Sequence, residues 1–578
     1  MKAKRLLRLT LFLFALTPVC FMPIWSQATS ATELPENIDF WSDYPAEQLA
    51  RTIADRMTDE ELFSQILMFG WAGAEPSELL NSWVTSRGLG SVKVFGWNTA
   101  NIQQVARSVK LLQEEAAQKR FKIPLFVATD QEGGYIRHVK GETSVTPGNL
   151  AIGASGYPLD SYYSGFYINR EIRALGINMN FAPTVDLYTN LDSSVIGPRS
   201  FGVKPNNAGI LGVEFARGSS DAGVIPTAKH FPGHGDTSID SHGRLPQIQI
   251  SEETFKNREL VPFKHLIQAN IPAIMSGHLS FPQIESDGTP ASLSKHMLTD
   301  LLRGELGFKG IIITDDMMMV GAIGFAGSFS KAVTMAIRAG NDIIISSTTA
   351  PLNSALWTEN LALMKSDAAF RSRVKDAAYR VILAKLQYFK SENAAPLYPD
   401  DQKIYESIPD KDGDKFFLDQ ACRSITVYKK GESLPLKSSE DESILIAGPF
   451  QNFFNEGTRR YPDARTFHFS YDLRSDESNF SEWDATGLVS AARSYDTIVI
   501  SVYDWHTANI AKRLQNLGKK VIIFSVLSPV FVLDGFEWAD TIICGYSYSD
   551  YSFKAMWGVL NGEFEAEGKI PLDLTQVN

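Results

Sequence analysis

The sequence predicts an α/β protein: a (β/α)8 barrel of the TIM type followed by a smaller α/β sandwich domain. Three observations carry this. Eight short apolar runs recur over roughly the first two thirds of the chain, with helical patterns between most of them. Alternating units of that kind read as a parallel barrel, with a doubly wound open sheet as the alternative. Polar residues stand at the end of run after run, where such barrels carry their chemistry. A second set of apolar runs begins after a stretch rich in Pro, Asp, Ser and Tyr at 391–410.

The chain opens on Met1-Lys2-Ala3-Lys4-Arg5, a basic segment, and Leu6 to Trp25 is mostly apolar. Small residues at Ser26-Gln27-Ala28 complete a secretory signal over 1–28, which predicts a secreted or periplasmic protein. The apolar part is too short, and too broken by Pro18 and Pro23, to span a membrane. Cys20 offers a lipid anchor as the alternative address, although the bulky Val19 before it makes a poor lipoprotein signal. The barrel is expected over 29–390, a linker over 391–410 and the second domain over 411–578.

Thr58-Asp59-Glu60-Glu61 before Leu62 reads as a capping box. The barrel strands are expected within Gln65–Gly70, Gly90–Phe95, Pro124–Thr129, Asn178–Ala182, Ile225–Ala228, Ala273–Ser276, Gly310–Thr314 and Asp342–Ser346. Helical patterns lie at Ile102–Lys119, Asn207–Ala222, Glu252–Ala269, Ser328–Ala339 and Asp367–Phe389. In the second domain, strands are expected at Ser443–Ala447, Thr497–Ser501, Val521–Ser525 and Thr541–Cys544. Asp504, His506 and Ser528 stand at strand ends there, as ordinary loop polarity or as part of a site.

A net charge of -11 offers no basic patch for phosphates, so nucleic acid is excluded as a partner. Cys422 and Cys544 read as buried free thiols.

The chemistry concentrates in Lys229-His230-Phe231-Pro232-Gly233-His234-Gly235-Asp236-Thr237-Ser238-Ile239-Asp240-Ser241-His242. Its glycines and proline forbid regular structure, and such a loop is retained where it binds something. Asp240 and His242, two apart on an extended segment, share one side, so the carboxylate can orient the imidazole as in an Asp–His catalytic pair. Asp315 stands at the tip of the run Gly310-Ile311-Ile312-Ile313-Thr314, aimed into the barrel mouth, and Asp316 is expected to cap the next helix. Glycoside hydrolysis needs a carboxylate at the anomeric carbon and a proton donor for the leaving oxygen, and Asp315 and His242 can supply these. The rival is a metal hydrolase using His230, His234, Asp240 and His242, but no histidine pair has helical i, i+4 spacing. No metal and no cofactor is expected.

These motifs resemble the β-N-acetylglucosaminidases of glycoside hydrolase family 3 over about residues 45 to 370. The likeness rests on Lys229 to Gly235 with Asp240-Ser241-His242, together with Asp130-Gln131-Glu132-Gly133-Gly134 and Asn180-Phe181-Ala182-Pro183-Thr184-Val185-Asp186. Arg199-Ser200-Phe201-Gly202 and Asp315-Asp316 follow in the family's order. The second domain, ending in Gly568-Lys569-Ile570-Pro571-Leu572, is similar to the α/β sandwich many members carry. The resemblance implies Asp315 as covalent nucleophile, His242 as acid/base paired with Asp240, and Asp130, Arg199, Lys229 and His230 as ligands of the sugar hydroxyls. It implies release of non-reducing terminal β-linked N-acetylglucosamine with retention, from peptidoglycan fragments or chitooligosaccharides. Where the family has an arginine eight residues after the first aspartate, this chain has His138, with Arg137 beside it as the substitute ligand. Pro198 is a second departure, standing where many members have a polar residue. A β-glucosidase, a phosphorylase and a non-catalytic envelope sugar-binding protein are the alternatives. The last is disfavoured because binding alone does not need Asp315, Asp240 and His242.

Overall fold

Eight parallel strands close a barrel in which every strand pairs with its sequence neighbours: β1 (Leu67–Phe69), β2 (Ser91–Lys93), β3 (Phe126–Thr129), β4 (Met179–Asn180), β5 (Ile225–Phe231), β6 (Ala273–Ser276), β7 (Ile311–Asp316) and β8 (Ile343–Ser346), which returns to β1. This computed structural model describes residues 34–193, 195–239, 243–437, 442–469 and 478–576. The signal at 1–28, Cys20, Asp240, Ser241 and His242 lie outside the described residues. β5 is buried along its whole length, and so are the apolar residues of β7, because helices cover the barrel outside and side chains fill it inside. Ile102–Ala116, Pro205–Asp221, Phe329–Ala339 and Ala368–Phe389 are helices where the apolar periodicity put them. The capping box at Thr58 forms: Glu61 N donates to Thr58 Oγ1 at 3.2 Å, and Thr58 N to Glu61 Oε2 at 2.9 Å.

The second sheet has six strands: β9 (Thr426–Lys429), β10 (Ile444–Gly448), β11 (Arg465–His468), β12 (Thr497–Val502), β13 (Lys520–Ser525) and β14 (Thr541–Cys544), in the order β9-β14-β13-β12-β10-β11. Only β9 runs antiparallel to its neighbour. Alternate residues divide between two cores. Leu445, Ile498, Ile500 and Ile523 face one way, against Leu488 and Ala508. Ile446, Val499, Ile522 and Phe524 face the other, against Phe453 and Trp557. That two-faced burial makes the domain a sandwich. Strands β9 and β11 escape the apolar-run reading because they are the sheet's edges; β11 (Arg-Thr-Phe-His) is largely exposed. Cys422 and Cys544 are both free thiols, but only Cys544 is buried, and Cys422 is half-buried.

Residues 39–578 form one compact unit. The 391–410 stretch lies along the barrel: Arg173 donates to the carbonyl of Ala394 at 3.0 Å, and Arg107 pairs with Asp401 at 3.0 Å. The second domain docks on the barrel's C-terminal rim through Arg423–Asp160 (2.5 Å), Ser547 to the Thr146 carbonyl (3.3 Å) and the Tyr188–Ser528 hydroxyl pair (3.1 Å). Its closing segment pins the rim too, since Lys569 N donates to Ala154 O and Val203 N to Pro571 O, both at 3.0 Å. Asp504 caps the helix Trp505–Lys512 and Ser528 makes the rim contact, so both strand-end polar groups have structural work. Among the described residues no single helix is long and apolar enough to cross a membrane.

At the opposite end of the barrel, Lys385 is wholly buried and donates to the Gly90 carbonyl at 2.7 Å and to Gln65 Oε1 at 3.1 Å. Burial pushes its ammonium down from 10.5 to about 7. The unfolded lysine keeps its proton to the higher value, so between the two the unfolded chain holds more protons and stability rises with pH. Wild-type Tm should therefore climb from pH 7 to pH 10, and the climb should flatten in Lys385→Met. Parallel Tm profiles would show that the charge carries no such cost.

Candidate active site

At the C-terminal ends of β2, β3, β4, β5 and β7, charged side chains converge. The chain leaves β3 at Thr129, places Asp130, and turns at once into a hairpin of Gln131–Gly133 against Ile136–Arg137. Gly133 and Gly134 make that turn at φ of 93° and 60°, and a Cβ on Gly133 would stand 2.7 Å from Thr146 Oγ1, so glycine is required. Asn180, ending β4, pins the hairpin by accepting from Gln131 N at 3.0 Å and donating to Gln131 O at 2.9 Å.

Asp130 takes the Lys229 ammonium at 2.5 Å on one oxygen and the Lys93 ammonium at 2.8 Å on the other. Lys229 also reaches Glu132 at 2.7 Å, and Arg199 grips Glu132 with two bonds, of 2.7 and 2.9 Å. Burial alone would raise both carboxyls, but Lys229 and Lys93 hold Asp130 well below the usual range, and Arg199 and Lys229 hold Glu132 at about 2. Asp130 and Glu132 raise the Lys229 ammonium, and Glu132 raises the Arg199 guanidinium, each against the opposing effect of burial. With Asp315 included, three cations face three anions. A buried cluster so paired is fixed in place before any ligand arrives.

Asp186 organises the stem of the loop that follows β5. It accepts from the backbone N–H of His230 at 3.1 Å and of His234 at 2.7 Å, and its Oδ2 lies 2.7 Å from His230 Nδ1. Burial would raise Asp186, but His230 and its own hydrogen bonds keep it low, so Nδ1 carries the proton and His230 presents Nε2 as its remaining polar atom.

Asp315 is half-buried at the tip of β7 and accepts from Asp316 N at 2.7 Å. Burial would raise its carboxyl; His230, His278 and Lys93 hold it at about 2. It is ionised throughout the working range of an enzyme. His278 Nε2 donates to the Asp316 carbonyl at 3.0 Å, so Nδ1 accepts from Ser292 Oγ at 2.6 Å. Burial pushes this imidazole down, and its bond to the Asp316 carbonyl fixes the backbone next to Asp315. Asp316 is not a helix cap. The next helix starts at Val320, and Asp316 instead accepts from Met318 N at 3.0 Å and from Ser347 N of the β8 loop at 2.9 Å.

The structure thus brings Asp130, Lys229, His230, Arg199 and Asp315 together. Arg137 points elsewhere: its Nη1 donates to Thr143 O and Oγ1, both at 2.9 Å. His138, on the other side of the strand, has Nδ1 3.5 Å from Asp130 Oδ2, and burial pushes that imidazole down to about 4. Asp186 and His278 stand at strand ends, as the sequence reading has them but without a specific role, and Lys93 is the residue that reading passes over. Lys93 left a signal, a charge inside the apolar run Val92-Lys93-Val94, because a lysine there must have a partner. Among the described residues, no group of three or more His, Cys, Asp or Glu side chains is arranged to hold a metal ion.

Residues 57–384 match the Glycosyl hydrolase family 3 N terminal domain. That match covers more than half the chain, and the chain belongs to glycosyl hydrolase family 3. It is 36% identical to Beta-hexosaminidase A of Pseudoalteromonas piscicida over 288 residues, 47% of each protein, so it spans about half that relative's length. It is also 36% identical to the Beta-hexosaminidase of Tolumonas auensis over 260 residues, 44% of this chain and 75% of the relative. The family 3 β-N-acetylglucosaminidase structure from Paenibacillus sp. str. FPU-7 superposes with a TM-score of 0.79 at 27% identity, covering 90% of this chain and 99% of that one.

Proposed function

We propose that the protein is a retaining, exo-acting β-N-acetylglucosaminidase that removes non-reducing terminal N-acetylglucosamine from peptidoglycan fragments or chitooligosaccharides. The observation that carries the reading is Asp315, an ionised carboxylate at the tip of β7 that accepts from the Asp316 amide, beside the Asp130–Lys93–Lys229–Glu132–Arg199 cluster. Curated relatives named Beta-hexosaminidase support the choice of sugar. Asp130, Arg199, Lys229 and His230 hold the sugar hydroxyls. The Asp315 carboxylate attacks the anomeric carbon as the C–O glycosidic bond breaks, and His242 protonates the departing oxygen. Water then attacks the glycosyl-enzyme, giving its proton to His242, and the second inversion restores the β configuration. The basic and apolar segment over 1–28 supports export, and a secreted or periplasmic enzyme would meet such glycans directly.

The test compares aryl β-N-acetylglucosaminide with aryl β-glucoside, and reads the first-formed anomer by NMR. The expected result is a kcat/KM about 100-fold higher for the N-acetyl sugar, on the scale by which the shape of a pocket discriminates between related substrates. The first product should be the β anomer. Preference for the glucoside would make the protein a β-glucosidase.

A further inference from the structure

Beside Asp130 the rim carries an aromatic ledge. Trp97, in the short turn Gly96–Asn98 after β2, lies parallel to Phe95, with centroids 4.5 Å apart and planes 4° apart. Its indole N–H donates to the Trp71 carbonyl at 2.7 Å, and Asn98 ties the same turn by accepting from Phe95 N at 2.8 Å and donating to Trp71 O at 3.1 Å. Phe95 is 6% exposed and Trp97 54%. An indole held by a ring stack and a hydrogen bond, yet left open to water, forgoes the burial that stabilises large apolar side chains. The ledge is continuous with the charged cluster: the Lys93 ammonium bonded to Asp130 at 2.8 Å lies 4.3 Å from the Phe95 centroid, and the His138 ring is 5.6 Å from Phe95.

We propose that Trp97 is the platform of a second sugar-binding position, on which a further pyranose ring of a β-linked glycan stacks while the terminal sugar occupies the Asp130–Lys229–Arg199 cluster. The inference rests on the reading of that cluster as a glycan-processing site. The C–H face of a pyranose is apolar and flat, matching an exposed indole face, and the fixed ring loses little entropy on binding. The contacts from Asp130 through Lys93 and Phe95 to Trp97 set the exposed indole two layers out from the cluster.

Two measurements on Trp97→Ala and Trp97→Phe test this. In kinetics, the ratio of kcat/KM for chitotriose over methyl β-N-acetylglucosaminide, whose aglycone cannot stack, should fall about 10-fold in Trp97→Ala and less in Trp97→Phe. The loss should appear in KM, which a general loosening of the fold would not single out. In calorimetry on the Asp315→Ala background, Trp97→Ala should weaken chitotriose about 10-fold and leave the affinity for free N-acetylglucosamine in place. Equal losses on the long and short ligands would assign Trp97 to the terminal-sugar position, and no loss on either would remove the ledge from glycan binding; both overturn the proposal. Failure of the wild type to turn over either glycoside would instead overturn the hexosaminidase reading, while the calorimetry still decides the ledge.

Discussion

Asp315→Ala should lower turnover by about 10⁴-fold or more, on the scale at which loss of a covalent nucleophile is felt. The reason is local. With its carboxyl at about 2, Asp315 is anionic at any pH the enzyme would meet, and the Asp316 amide fixes its direction. Alanine removes the only group at the tip of β7 aimed to attack, while His278 keeps both of its own hydrogen bonds, to Ser292 and the Asp316 carbonyl, so the fold is spared. Tm should change little. Azide supplied to the variant should restore part of the turnover on an activated aryl glycoside, and the product should be the α-glycosyl azide, because one displacement now replaces two. A variant retaining a substantial fraction of wild-type kcat would remove Asp315 from the nucleophile's role. A β-azide would show a mechanism other than double displacement. The same value of about 2 predicts that an acid limb of the pH–rate profile above pH 4 belongs to a group other than Asp315.

The barrel is legible in the sequence for a physical reason. Strands buried on both faces are apolar over most of their length, so β3, residues 225–228 of β5, β6, residues 311–314 of β7 and β8 read as runs, although β5 itself continues through Lys229, His230 and Phe231. Their polar ends stand out against that background, and this is how Asp130, Lys229, His230 and Asp315 were found. The edge strands β9 and β11 carry no such constraint and were missed. Pairings were the other blind spot. Asp186 meets His230 across 44 positions and Lys229 meets Asp130 across 99, and no local pattern encodes either contact. Arg137 against His138 is the instructive near miss. Strand alternation alone says that two neighbours cannot both face Asp130, and the structure gives that place to His138.

The second large effect concerns a residue outside the described segments. His242→Ala should impair glycosides with poor leaving groups by about 10²–10⁴-fold, the range that general acid catalysis supplies, and should hurt activated aryl glycosides far less in the first chemical step. A dinitrophenolate departs without a proton, so glycosylation proceeds on Asp315 alone. Deglycosylation still needs a base to take the proton of water, and with activated substrates the glycosyl-enzyme should accumulate, visible as a burst followed by a slow steady state and as a mass increase of one sugar. Asp240→Asn should give a milder version, since it weakens the orientation and basicity of the imidazole without removing it. The stem of that loop is fixed whether or not the pair is intact. Asp186 holds the backbone of His230 and His234, and Arg258 joins Asp236 to Glu259, with Nε to Glu259 Oε1 at 2.6 Å, so truncation at His242 should not unseat Lys229 or His230. Measuring both variants on one good and one poor leaving group separates the roles. Equal losses on the two substrates, with no burst, would make His242 a binding or folding residue and leave the proton donor to be sought elsewhere on the rim.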